Sequence, residues 1–260
     1  MRYKNFISRW IIKIRRYIFR QKFIPVRHGP LKNYLWTTAS SYEYILGNYE
    51  DPQTLKTFLS WLKNDTVFYD IGSNIGFHAL VANRMIAQGK IYSFEPMPMV
   101  RFVFEKHICL NKTFIKKNNI ELFPFAIADK EKEVLFSTDE LRKDGNTYIA
   151  QSPVFANAEK KIMVQCVSID GLIAQGFAKP DIIKIDAEGA ELEVLQGALL
   201  TLQTYKPNIL LATHECHFPG VRDKCLQFLQ NLGYEMKHTG LHNKQIAGID
   251  DYIAIYTGRL

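Results

Sequence analysis

Two acids and a glycine turn offer one kind of chemistry in this chain, and a lysine, an acid and two histidines offer another. Asp70 closes the apolar run Val67-Phe68-Tyr69 and leads into Ile71-Gly72-Ser73-Asn74-Ile75-Gly76, while Glu95 closes Ile91-Tyr92-Ser93-Phe94 ahead of Pro96. An acid at such a run's end can receive hydrogens from a ligand, and glycines let the backbone turn sharply with no Cβ in the way. In Ile182-Ile183-Lys184-Ile185-Asp186, the lysine and the acid are two apart and share one face of a strand. A central parallel strand is expected to be almost wholly apolar, so Lys184 inside this run is an anomaly that asks for a function. His214 follows the apolar run 208–213, and His217, three residues on, is the second candidate. An imidazole with its ordinary pKa of about 6.5 is neutral enough near pH 7 to accept a proton.

These groups need elements that bring them together. Residues 67–71 and 90–94 read as strands separated by a helix, the first βαβ unit of an open α/β sheet, and such sheets bind nucleoside ligands at the carboxyl ends of their strands. A nicotinamide fingerprint, G-x-G-x-x-G, is missing, because Asn74 stands where its central glycine would be. A cofactor without phosphate, such as S-adenosylmethionine, needs only close backbone contact and nearby acids. Asp70 would then hold its ammonium end, directly or through water, with Gly72, Ser73, Asn74 and Gly76 lining the turn and Glu95 accepting from the ribose hydroxyls. Backbone groups around Ala126, at the exit of a third strand over 120–125, are expected beside the adenine.

Further along, a helix is expected over 97–111, strands over 181–186 and 208–213, a helix over 222–232, and two closing strands at 234–238 and 252–257. Glu188 is expected at the start of a helix, where the dipole favours an acid without any catalytic role. Residues 133–137 and 161–168 read as a strand pair flanking a polar loop, 138–160, long enough for a lid or acceptor loop. Asp51-Pro52 reads as an N-cap and first-turn proline for a helix to about residue 63.

The net charge of +7 belongs to one end of the chain. Residues 1–24 hold eight bases and no acid, leaving 25 bases against 26 acids in the remainder. That balance argues against a nucleic-acid partner. As a helix, this segment would place Tyr3, Ile7, Trp10, Ile14 and Ile18 opposite Arg2, Arg9, Lys13, Arg16 and Arg20, the pattern of an interfacial anchor on an anionic membrane or of a helix packed on protein. Lys13, Arg15 and Arg16 interrupt it too often for a bilayer span. Tyr34, Trp36, Tyr42 and Tyr44 form an aromatic-rich connecting segment within 25–50, suited to flooring an acceptor site or to stapling the extension to the core. Cys109, Cys166, Cys216 and Cys225 show no disulfide-like or zinc-like spacing, which fits a cytoplasmic protein, peripheral at the inner membrane face if its basic segment acts as an anchor.

Three stretches, Tyr69-Asp70-Ile71-Gly72-Ser73-Asn74-Ile75-Gly76, Phe94-Glu95-Pro96 and Lys184-Ile185-Asp186-Ala187-Glu188-Gly189-Ala190-Glu191, resemble the FkbM-type methyltransferases over roughly residues 45–257. The resemblance implies a class I, Rossmann-like α/β fold with a seven-stranded, mostly parallel sheet. It implies an S-adenosylmethionine-dependent O-methyltransferase acting on sugars or glycoconjugates, within a domain at 51–260. It also makes His214 the family's histidine, removing the acceptor proton while Asp186 orients the histidine or the acceptor. A divalent metal held by Asp186 and a neighbouring acid is the other way to lower the hydroxyl pKa, although no further acids stand at convincing spacing. The rival functions are a nicotinamide-dependent oxidoreductase and a non-catalytic, membrane-associated binding module.

Overall fold

The structure is a computed structural model, described here for residues 22–115, 119–137, 161–241 and 248–258. The expected basic helix lies outside these residues except at its end, where Phe23–Pro25 is a strand (β1) and not helix. The loop 138–160 also lies outside them.

A seven-stranded sheet carries the fold. Its strands are β3 (Val67–Ile71), β4 (Lys90–Phe94), β5 (Ile120–Phe123), β9 (Ile182–Ile185), β10 (Asn208–His214), β11 (Tyr234–Leu241) and β12 (Ile249–Tyr256). They lie in the order β11-β12-β10-β9-β3-β4-β5. β12 runs antiparallel to both neighbours, and the other pairings are parallel. This is the class I, Rossmann-like arrangement. The chain order reverses between β3 and β9, the switch point where such sheets open a crevice.

Both faces of the sheet are covered. Alternate side chains explain how: Phe68, Ile182, Leu210 and Ile253 face one apolar cluster, and Tyr69, Ile183, Ile209 and Ala254 face the other. Helices α2 (Pro52–Trp61), α3 (Phe77–Asn83) and α4 (Pro98–Leu110) contribute Phe58, Leu80 and Phe104 to the first cluster. The second receives Leu172 from α5 (Ile169–Ala174), Val194 from α6 (Glu191–Gln196), Leu202 from α7 (Leu199–Tyr205) and Leu229 from α8 (Val221–Asn231). Each such side chain contributes about 1.5–3 kcal/mol when fully buried. Among the described residues no helix is long and apolar enough to cross a membrane.

The connecting segment is stapled to the core. β1 pairs with β2 (Leu35–Thr37) across a hairpin, and α1 (Tyr42–Leu46) follows. Tyr34 and Trp36 are wholly buried, Trp36 stacks on Tyr44 and His107, and Tyr44 stacks on Tyr49. The capping of α2 is as expected: Asp51 accepts from the backbone N–H groups of Gln53 and Thr54, worth about 1 kcal/mol.

The third strand differs from expectation. It ends at Phe123, and Ala126 belongs to a separate strand, β6 (Ala126–Ile127), in a small sheet ordered β6-β8-β7. There β7 (Lys132–Ser137) and β8 (Lys161–Val167) form the antiparallel pair anticipated from the sequence. Ala126 pairs with Cys166 of β8 along one side of β6, which is an edge strand of this small sheet.

Candidate active site

At the switch point, Asp70 and Lys184 are register partners across β3 and β9. The ammonium of Lys184 donates to the Gly72 carbonyl at 2.8 Å and pairs with Asp186 Oδ2 at 3.2 Å and Asp70 Oδ1 at 3.7 Å. Burial alone would lower its pKa, but Asp186 and Asp70 outweigh that and raise it. The lysine that broke the apolar pattern of β9 therefore ties the glycine turn to the acid at the next strand's end. Asp70 itself has no exposed surface, and burial pushes its pKa up against the pull of Lys184. It sits under the turn as part of this ion-pair network, a less accessible place than one gripping a ligand directly.

The turn is left-handed at Gly72, Asn74 and Gly76. A Cβ at Gly72 would collide with the Asp186 carbonyl oxygen, and one at Gly76 with the ring of Phe104. Both positions thus need glycine for close packing as well as for φ. Ser73 Oγ is buried and has no hydrogen-bond partner among the described residues. Glu95 reaches back to this turn, accepting from Asn74 N at 3.1 Å and Met97 N at 2.8 Å. Burial raises its pKa to about 7 despite those two donors. His107 supports the turn from behind, contacting the Ile75 carbonyl through Nδ1 at 2.8 Å and accepting from Thr37 N through Nε2.

The ends of β9 and β10 hold a denser group. His214 Nδ1 lies 2.8 Å from Glu191 Oε1, and its Nε2 lies 3.3 Å from Glu188 Oε2 and 3.5 Å from Asp186 Oδ1. Burial favours the neutral ring, but Glu188, Glu191 and Asp186 outweigh it and bring the pKa up to about 10. The ring anticipated as a neutral proton acceptor is thus set among carboxylates that favour its charged form. His217 stacks on His214 and places Nδ1 3.3 Å from Glu188; burial, then the charge of His214, lowers its pKa to about 4.

Glu188 is a correction. The helix begins at Glu191, three residues later than the dipole argument required, and Glu188 sits in a left-handed turn with its carboxylate on the two histidines. Glu191 was not among the expected site residues. It lies at the first position of α6, wholly buried, accepting from Gly189 N as well as holding His214. Its signal in the sequence was an acid at the start of a helix in the Asp186-Ala187-Glu188-Gly189-Ala190-Glu191 stretch, inseparable there from ordinary dipole complementarity. A second buried pair, His78 Nε2 with Glu50 Oε2 at 2.7 Å, lies on the same sheet face as Asp70 and Lys184 and was also unforeseen.

The sequence model of the Methyltransferase FkbM domain matches residues 70–236, from Asp70 through both strand ends just described. The chain belongs to the FkbM methyltransferase family. The hexuronic acid methyltransferase AglP of Haloferax volcanii is 26% identical over 59% of this chain and 59% of its own. The methyltransferase sdnD of Sordaria araneosa is 26% identical over 67% of this chain and 76% of its own. This FkbM chain also shares its fold with the methyltransferase FkbM of Methylobacillus flagellatus, with a TM-score of 0.54 and 15% identity over 75% of this chain and 44% of that one. The matched region thus spans less than two thirds of AglP and less than half of the Methylobacillus protein.

Proposed function

We propose that this protein transfers a methyl group from S-adenosylmethionine to a hydroxyl of a sugar or glycoconjugate. The observation that carries the proposal is the seam at the switch point, where a glycine turn unsuited to pyrophosphate abuts the strand end bearing Asp186. Family membership supports the methyltransferase class, and the similarity to a hexuronic acid methyltransferase supports a sugar acceptor.

The residues present fit the cofactor. Ser73 Oγ offers a buried, unpartnered hydroxyl in the turn, and Glu95 offers a carboxyl at the end of β4 for ribose hydroxyls. Bound S-adenosylmethionine supplies an electrophilic methyl group, so the protein's task is positioning and handling one proton. Asp186, whose side chain is 15% exposed, accepts a hydrogen bond from the acceptor hydroxyl. Lys184 on one side and the His214 imidazolium on the other hold that carboxylate in place. His214 and Asp186 thus act as a pair, with the histidine as positioned cation. The basic segment 1–24 would bring a cytoplasmic enzyme to anionic membranes that carry glycoconjugates.

Calorimetric titration of the purified chain with S-adenosylmethionine, and separately with NAD, tests the reading. Binding of the first and not the second is expected. A folded protein that binds only NAD would overturn it in favour of an oxidoreductase, and one that binds neither would favour a non-catalytic module.

A further inference from the structure

The group around His214 has a shape that proton handling alone does not require. Asp186, Glu188 and His214 each present one ligand-type atom, and these three atoms all lie within 4.8 Å of one another. His214 Nε2 stands 3.5 Å from Asp186 Oδ1 and 3.3 Å from Glu188 Oε2. Neighbouring ligands held about 2.1 Å from a six-coordinate ion are ~3 Å apart, close to the two separations measured from His214 Nε2.

A separate observation concerns the far side of the ring. Glu191, with no exposed surface, holds Nδ1 and so fixes which nitrogen faces the two outer carboxylates. That is the outer carboxylate of a carboxylate–histidine–metal arrangement, in which the partner orients the ring and raises its basicity toward the ion. Charge adds a third argument. Asp70, Asp186, Glu188 and Glu191 are four carboxylates within one network, faced by the ammonium of Lys184 and the ring of His214. With the acids ionised, negative charge remains in excess in a site where desolvation makes such an excess costly. Asp186 and Glu188, at 15% and 19% side-chain exposure, leave an approach from solvent.

We infer that Asp186, Glu188 and His214 bind one divalent cation accepting mixed oxygen and nitrogen ligands, of the Mn2+ type. The ion would take the place of the imidazolium proton, leaving Lys184 and Glu191 as positioning residues. Its use in turnover rests on the methyl-transfer reading: there it would supply the charge that favours ionisation of an acceptor hydroxyl. Its binding does not rest on that reading.

The test uses the full chain, stripped with EDTA and exchanged into metal-free buffer. Mn2+ is titrated in while free Mn2+ is followed by electron paramagnetic resonance. One tightly held Mn2+ per chain is expected. Glu188→Gln and Asp186→Asn should each weaken it at least 10-fold, and Glu191→Gln roughly 10-fold, the size typical of losing an outer partner. Circular dichroism confirms that each variant is folded. Failure of the folded wild-type chain to bind, or equal binding by Glu188→Gln and Asp186→Asn, overturns the inference. Calorimetry with S-adenosylmethionine on the same stripped protein separates the two proposals. Cofactor binding with no Mn2+ site removes the cation alone. A Mn2+ site sensitive to Glu188→Gln, with no cofactor binding, leaves the cation standing and removes methyl transfer.

Discussion

The two sides of the switch point are built by opposite means. On the β3–β4 side, the glycine turn is held by backbone donors to Glu95, by left-handed glycines and by a buried His107 whose pKa burial lowers to about 4. On the β9–β10 side, carboxylates, a lysine and a histidine hold one another. The first side is shaped mainly by backbone geometry, and the second concentrates charge at the ends of β9 and β10. Under the proposed function, the first would hold the cofactor and the second would act on the acceptor hydroxyl. Lys184 is the bridge, bonded to the Gly72 carbonyl on one side and to Asp186 on the other.

His214→Ala should separate the sides most sharply. Turnover should fall by about 10²–10³-fold, the span for losing one preorganised electrostatic partner at the reacting group, while S-adenosylmethionine affinity stays unchanged. Product formation and calorimetry read the two quantities, and a parallel loss of cofactor affinity would show that the sides are not independent. Gly72→Ala should damage both at once. Left-handed φ and the collision with the Asp186 carbonyl together should cost roughly 3 kcal/mol or more in urea unfolding.

Acid should weaken the first side selectively. Below its unfolded pKa of about 6.5, His107 takes a proton in the unfolded chain that the folded chain refuses down to about 4. Its contribution is therefore complete above pH 6.5 and falls as pH drops, by about 3 kcal/mol over that window. The stability gap between the wild-type chain and His107→Gln should shrink accordingly. Glu95, with its pKa of about 7, has the opposite sign, since its stabilisation is lost as pH rises, but it is common to both proteins and cancels in the difference. The smallest effect expected is that of Glu95→Ala on cofactor binding, about 10–100-fold, as for loss of a carboxylate making charge-assisted hydrogen bonds. Mn2+ affinity should not move with it.

The first side was the more legible in the sequence, and the reason is physical. Glycine spacing and strand-end acids report on local backbone, so the turn through Gly72 and Gly76 and the place of Glu95 at the end of β4 agree with expectation. The individual strands and the β7–β8 pair were legible for the same reason, through runs of apolar and β-branched residues, whereas the class I sheet was implied by the family resemblance. The charged side was not, because it depends on residues that meet only after folding. Glu191 and His214 are 23 positions apart, and nothing local distinguishes Glu191 from an acid serving a helix dipole. Glu188 was assigned to the helix because the left-handed turn before α6 has no strong signature at a glutamate. The end of the third strand was read two residues late because a short strand followed closely by a second one reads as one continuous run.

The contact between Gly72 and the Asp186 carbonyl also constrains how the protein can diversify. The Asp186 carbonyl occupies the space a Cβ on Gly72 would need, so the turn cannot gain a side chain there without parting from the strand end that bears Asp186. Substitution at this joint is thereby disfavoured on physical grounds, and a change in what the site binds is more readily accommodated by segments at the rim.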